Sequence, residues 1–355
     1  MIVSGEENIL SYWSRLILLL GLIASSHFAS AQQIPLSQYY VSPINLNPAL
    51  IGTSSQPLII AQHRSQWNTS ASSYPISIAS ATYPINQAYS SRIQTGGLGV
   101  AFIREAAGMQ GWLTHTEVQL AGAYNLPLDF RQKHVISLGI STSYLQRALN
   151  VGNIRWGSQY DATVGFDPTV APSVQLVRDR LGYMSAEAGI VWSYNSFKNT
   201  LLRPWQWMSG LTISNMNRPD VSFTDQAQPL PITLTWHGGA SYSKYYWKVQ
   251  PQAMVIWRQS SYHLNIGTYG QYQIRTTRPN QAKTVMIGGL WYRWGDAIAV
   301  SSGLLHRNIQ ISLSADFARY PSPGYRSAGA AWEAALVFTI PSKKSTHLRR
   351  STPLI

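Results

Sequence analysis

The chain contains no cysteine. Disulfide frameworks, thiolate metal sites and a lipid anchor on an N-terminal cysteine are therefore excluded. Charge is scarce as well: charged residues make up 12% of the 355 positions, about half the share usual for soluble domains. The shortage falls on the acids, 14 Asp and Glu against 27 Lys and Arg, which leaves a formal charge of +13. A basic balance can signal nucleic acid or an anionic lipid surface. Here the bases are scattered, and only the run Lys343 to Arg350 is dense. No nucleic-acid-binding motif accompanies them, so no nucleic-acid partner is expected. Long apolar runs are missing too. Past residue 31 nothing approaches the ~18 residues of a membrane-spanning helix.

What is abundant is aromatic: 13 Trp and 20 Tyr. The start of the chain has one basic residue, Arg15, then an apolar core from Leu16 to Ala24 and a small-x-small site at Ala29-Ser30-Ala31. This is the pattern of a secretory signal peptide cleaved after Ala31. Met1 to Ser14 is longer and more acidic than a usual leader start, which raises the question of a start codon further downstream. An exported chain with no spanning helix has one other way to cross lipid, a closed β-barrel in which every backbone N–H and C=O is paired.

Period-two patterns support that solution. Ile136, Leu138, Ile140, Thr142 and Tyr144 alternate with Ser137, Gly139, Ser141 and Ser143. Ile309, Ile311, Leu313, Ala315 and Phe317 alternate with Gln310, Ser312, Ser314 and Asp316. Leu264, Ile266, Tyr272 and Ile274 oppose His263, Asn265, Gln271 and Gln273, and Trp332, Ala334, Leu336, Phe338 and Ile340 oppose Glu333 and Thr339. Successive side chains of a strand point to opposite faces, so each segment has one oily and one polar face. The polar faces carry too little charge for a soluble surface and suit a filled lumen with lipid outside.

About fourteen strands are expected, at 58–67, 75–84, 96–104, 114–125, 134–145, 184–195, 205–214, 232–243, 246–257, 262–273, 283–293, 296–305, 308–317 and 329–340. The predicted fold is an all-β transmembrane antiparallel barrel. The expected organisation is a signal peptide 1–31, an irregular segment 32–57, a barrel 58–340 and a basic tail 341–355. An even strand number puts both termini on the periplasmic side. The longest connections, 146–183, 215–231 and 318–328, then face outward, while two inward links, 85–95 and 274–282, are long for that side. Trp205, Trp207, Tyr245, Tyr246, Trp247, Trp291, Tyr292 and Trp294 lie near strand ends, where interfacial girdles are expected.

Chemistry is thinly represented. No zinc-protease, nucleophile-elbow, phosphate-loop or dinucleotide-binding pattern is present. His63, His237 and His263 fall in strands and read as lumen-facing polar residues. Asp161, Asp167 and Asp179 share the longest loop and read as solvated, in preference to a weak calcium site. No Ser–His pair is singled out by spacing, so a rim lipase is not favoured. No enzyme activity, cofactor or metal is expected.

The segment "QQIPLSQYYVSPINLNPALIGT", residues 32–53, is neither periodic helix nor strand. Proline fixes its own φ and steers the residue before it away from helix, and Asn side chains bond nearby backbone. Such a rigid, uncharged piece is expected to tuck into the lumen or brace the periplasmic rim. Its residues carry a resemblance: Ser37-Gln38-Tyr39, then Pro43, Asn45, Asn47, Pro48-Ala49 and Gly52, then Arg64-Ser65-Gln66-Trp67 closing the first strand. This is similar to the opening of the PorP/SprF family of Bacteroidota outer-membrane proteins tied to type IX secretion and gliding motility. The likeness continues more weakly through Gly96–Phe102 and Phe166–Thr169. Ser42 departs from it, standing where the family commonly has Asn, and the tail beyond Ile340 looks additional.

The resemblance implies a non-enzymatic accessory of type IX secretion in the outer membrane. It would dock or retain a large adhesin-like cargo at the surface, in contact with periplasmic lipoproteins or peptidoglycan-binding partners. The motif residues Ser37, Gln38, Tyr39, Pro43, Asn45, Asn47, Pro48, Arg64 and Trp67 are the candidates for that role, with Lys343, Lys344, Arg349 and Arg350 as a basic periplasmic tail. The alternative is a passive porin-like channel for small solutes or lipophiles.

Overall fold

The computed structural model describes residues 36–66, 74–85, 95–108, 111–130, 133–161, 163, 165–171, 176–194, 205–274, 284–318 and 330–341. The leader, Trp67 and the tail bearing Lys343, Lys344, Arg349 and Arg350 lie outside the described residues.

The strands are β1 Leu58–Gln66, β2 Tyr74–Ile85, β3 Gly96–Ala107, β4 Leu113–Pro127, β5 His134–Leu149, β6 Tyr160–Asp161, β7 Gly165–Phe166 and β8 Arg180–Tyr194. They continue as β9 Trp205–Ser214, β10 Thr233–Lys244, β11 Trp247–Arg258, β12 Ser261–Gln273, β13 Thr284–Arg293, β14 Ala297–His306, β15 Ile309–Ala318 and β16 Ala330–Thr339. The short β6 and β7 pair only with each other; the other fourteen close into one barrel. Each barrel strand runs antiparallel to its neighbours, and β1 against β16 completes the ring, with Leu58 opposite Thr339 and Gln66 opposite Ala331. Closure leaves no sheet edge, which satisfies the backbone in lipid. Among the described residues no helix is long and apolar enough to cross a membrane.

All fourteen expected strands are present. The largest shift is at β5 and β8, which run to Leu149 and from Arg180, so the loop between them is 150–179 and not 146–183. Leu145, Leu181 and Tyr183 keep the lumen-facing positions there and pack beneath Val221. Burial of these side chains extends the ladder past the point where the sequence pattern fades.

The two faces separate as the alternation requires. Ile309, Ile311, Leu313 and Phe317 are exposed on the outer face of β15, while Ser312, Ser314 and Asp316 are buried inside. Trp205, Trp207, Tyr245, Tyr246, Trp247 and Trp294 are exposed, as an interfacial girdle requires. Trp291 is not in the girdle. It is 1% exposed and faces the lumen, because it shares the parity of Arg293 and not that of Tyr292. His63 is the converse case: it stands on the outer face, where its ring meets the Ser77 hydroxyl at 2.9 Å and lies 5.3 Å from the Trp332 ring. Arg64, its neighbour, takes the inward position.

Both ends of the ring meet at one rim, where the Ile340 amide donates to the Pro57 carbonyl at 2.9 Å. This terminal rim carries two-residue turns. Tyr245 and Arg307 sit there at φ 53° and 55°, the left-handed conformation such hairpins demand. The opposite rim carries the long connections 150–179 and 215–232.

Candidate functional site

The lumen is occupied by the chain's own N-terminal segment. Its shape follows from its prolines. Pro43 opens a single α-turn, Pro43–Leu46, and Pro48 opens a 3-10 turn, Pro48–Gly52. Asn47 lies extended between them, and its Oδ1 accepts the Ala49 amide at 2.9 Å, capping the second turn. A third short turn, Tyr39–Val41, precedes them. The result is a compact coil whose Tyr39, Tyr40, Val41, Ile44, Leu46, Ala49, Leu50 and Ile51 are all buried. Burying a large aliphatic side chain of this kind stabilises by roughly 1.5–3 kcal/mol. The barrel wall supplies the surrounding surface.

The coil is held at three levels. Nearest the long-loop rim is a buried charge network. Arg64 on β1 pairs with Glu333 on β16 at 2.5 Å and with Asp316 on β15 at 2.8 Å. Arg293 on β13 pairs with Asp316 at 2.9 Å and with Asp296 at 2.8 Å. The Glu333 carboxylate accepts two successive backbone amides of the coil, Ser37 at 2.5 Å and Gln38 at 2.9 Å. The Ser37 hydroxyl donates to Asp316 at 2.7 Å and accepts from Arg293 at 2.7 Å. The Gln38 side chain accepts from Ser312 at 2.6 Å and donates to Ser314 at 3.2 Å. Arg64 and Glu333 are register partners across the closing strands, so the same pair fastens the ring and grips the coil.

One level along, Tyr40 lies between Tyr269 and Trp291, with ring centroids 4.8 Å and 5.2 Å away and interplanar angles of 21° and 19°. Tyr39 meets Trp291 edge-on at 5.4 Å. Burial pushes the Tyr40 hydroxyl up to about 12 and raises that of Tyr39 further.

At the third level Asn47, fully buried, turns its Nδ2 to the Ile190 carbonyl at 3.3 Å, the Leu211 carbonyl at 3.2 Å and His237 Nε2 at 3.1 Å. Neutral His237 accepting at Nε2 fits this contact. The wall gives way to the coil here through glycine. A Cβ on Gly189 would collide with the Asn47 carboxamide, and one on Gly139 with the Pro48–Ala49 backbone. Nearer the terminal rim Asn125 Nδ2 donates to the Gly52 carbonyl at 2.6 Å, and the chain passes on into β1.

The sequence-predicted motif is thus gathered in one place. Ser37, Gln38, Tyr39, Pro43, Asn47 and Pro48 are buried in the coil and Arg64 in the wall that holds it. The side-chain amide of Asn45 is enclosed and has no hydrogen-bond partner among the described residues. Sequence reasoning passed over Glu333, Asp316, Arg293, His237 and the two glycines as members of this site. The available signal was rarity: Asp316 and Glu333 stand on the polar faces of otherwise oily strands, and a buried acid there needs a cation of matching parity.

Over the long-loop rim a hairpin, 219–230, is ordered by Asp220, whose Oδ1 accepts the Gln228 amide at 2.7 Å and the Ser222 amide at 3.1 Å. These bonds, that from Gln228 first, hold the Asp220 carboxyl below its ordinary range. Val221, with Phe223 and Leu230 beside it, packs on Leu145, Leu181 and Tyr183. In the longest loop Asp161 and Asp167 accept the amides of Thr163 at 2.7 Å and Thr169 at 2.8 Å, each capping its own turn. Among the described residues no His, Asp and Glu side chains group as a metal site would require.

Among solved structures, the chain is similar to a FadL homologue of Pseudomonas aeruginosa (10% identity, 84% of this chain and 93% of that one covered, TM-score 0.44). It is also similar to the Acinetobacter baumannii outer membrane protein Omp33 (9%, 81% and 100%, TM-score 0.36) and to a KdgM porin (8%, 80% and 99%, TM-score 0.35). These likenesses are too distant to bear on function. Curated proteins gave no sequence match. The family match is of another order: residues 28–331 fit the type IX secretion system membrane protein family PorP/SprF. With a closed fourteen-strand barrel, an oily outer face and that family signature across most of its length, the chain belongs to the PorP/SprF family and is an outer-membrane β-barrel of type IX secretion.

Proposed function

We propose that this barrel docks a large secreted adhesin-like cargo at the cell surface and is anchored from below by periplasmic partners of the secretion machinery. The observation that carries this reading is the occupied lumen. A ring whose interior is filled by its own residues 36–52, held by buried ion pairs and stacked rings, is built to present surfaces and not to pass solutes. The two rims divide the work. The long-loop rim, with the hairpin 219–230 laid over it, is the cargo side, and the terminal rim is the periplasmic side. The motif residues act by fixing the coil, and the basic charge of Lys343, Lys344, Arg349 and Arg350 serves acidic partner surfaces or peptidoglycan carboxylates.

The test is a comparison of surface proteins between wild type, a strain lacking the barrel and one lacking only residues 219–230. Loss of one very large surface protein in both mutants, with the truncated barrel still at normal abundance, is the expected result. An unchanged surface in the strain lacking the barrel contradicts the reading. The passive-channel alternative has no observation in its favour beyond the polar lumen wall, which the coil covers.

A further inference from the structure

The wall that grips residues 37–40 does not need them for its own charge balance. Arg64 is matched by Glu333 and Asp316, and Arg293 by Asp316 and Asp296, all within the barrel. The coil brings no charge. Removing it strands no unpaired ion, which is the costly outcome for buried charge. What would be left is a shaped site: a carboxylate held by Arg64 that presents its two oxygens to two consecutive backbone amides, a hydroxyl seat between Asp316 and Arg293, and a ring slot between Tyr269 and Trp291. Every one of these contacts reads main chain, hydroxyl, amide or ring.

Residues 47–52 differ. They are set into the wall where Gly139 admits the Pro48–Ala49 backbone and Gly189 the Asn47 carboxamide, and Asn125 ties down their exit. The two parts also face different rims. Arg293 is the last residue of β13, and Asp316 lies two before the end of β15, both at the long-loop end.

We propose that the wall around Glu333 is a binding site for a short uncharged segment of polypeptide, filled in cis by Ser37–Tyr40 in this structure, and that a segment of cargo with the same chemistry displaces this arm. The proposal rests on the docking role above and names its point of attachment. Residues 47–52 stay seated while the arm 36–42 leaves. The incoming segment is neutral, offers two successive amides from a turn as Ser37 and Gln38 do, and carries a small hydroxyl followed within a few residues by an aromatic ring.

The probe is a labelled synthetic peptide, Ser37 to Ser42 of this chain, added to purified barrel in detergent. Barrel lacking residues 36–42 is expected to bind it saturably, and E333Q in that background to weaken binding by about tenfold or more, the scale of a lost charge-assisted hydrogen-bond pair. The intact chain supplies an independent arm of the test. It has no native cysteine, and the Gln38 side chain reaches Ser312, so Q38C/S312C can be joined by a short thiol-reactive cross-linker. Protein without the cross-link is expected to take up the peptide at high concentration and cross-linked protein to refuse it. Equal uptake by both forms, or binding unaffected by E333Q, overturns the proposal. So does the absence of binding to an arm-deleted barrel that still migrates as a folded, heat-modifiable species. None of these outcomes touches the surface-protein comparison, so the docking role and its point of attachment fail separately.

Discussion

At the scale of single residues, Arg64 bears more than any other side chain of the first strand. It is fully buried, answers two acids, and bonds the Ser37 hydroxyl at 3.0 Å. Arg64→Ala would leave Glu333 facing no cation and is expected to cost ~3–5 kcal/mol, seen as a lower temperature for loss of the heat-modifiable band. In a barrel lacking residues 36–42, where Glu333 no longer serves the Ser37 and Gln38 amides, replacing both members of the closing pair, R64M with E333L, is expected to recover most of that loss, since paired apolar substitutes are often neutral or better. A double variant as unstable as R64A would show that the pair itself, and not the orphaned charge, sets the stability. Gly139 is tested in the same spirit. G139A should destabilise by about 1–3 kcal/mol through overpacking, and that penalty should vanish in a barrel that lacks residues 36–52. A penalty of equal size with and without the segment would mean the methyl clashes with the wall alone.

At the scale of elements, alternation made the strands legible. An oily face against lipid and a polar face inside leave a period of two in every spanning segment, and nothing in the interior of β9 or β15 competes with it. What escaped the pattern was decided across the ring. Trp291 near a strand end looked like a girdle residue, yet its parity aims it inward, and only the neighbouring Tyr40 and Tyr269 rings explain a tryptophan there. The coil itself was readable as irregular from its prolines, but its place in the lumen was not. Its partners stand as many as 296 positions away in the chain, and no local rule reaches that far.

The aromatic level of the coil also gives a pH dependence. Burial raises the seated Tyr40 hydroxyl to about 12, and Tyr39 beyond it, while a released arm titrates near the ordinary ~10. The seated state therefore keeps its full advantage below pH ~10 and loses it as the pH climbs toward 12. A spin label at L36C, at the half-buried start of the arm, should be restricted at neutral pH and grow mobile across that window with the barrel intact. Unchanged mobility up to pH 12 would place these rings outside the balance between seated and released states.

For the whole molecule, the family signature and the physical pattern describe one object from two directions. The residues that mark the family in sequence are those that fill the ring in space, joined through Arg64 to the last strand of the chain. The central claim is that residues 36–52 stop the lumen of a lipid-embedded barrel. Planar-bilayer conductance of the full chain and of a form lacking those residues tests it most directly. A quiet trace from the full chain and a large, steady, ohmic conductance from the shortened one is the result this account requires. Equal conductance from the two, whether high or low, would contradict it.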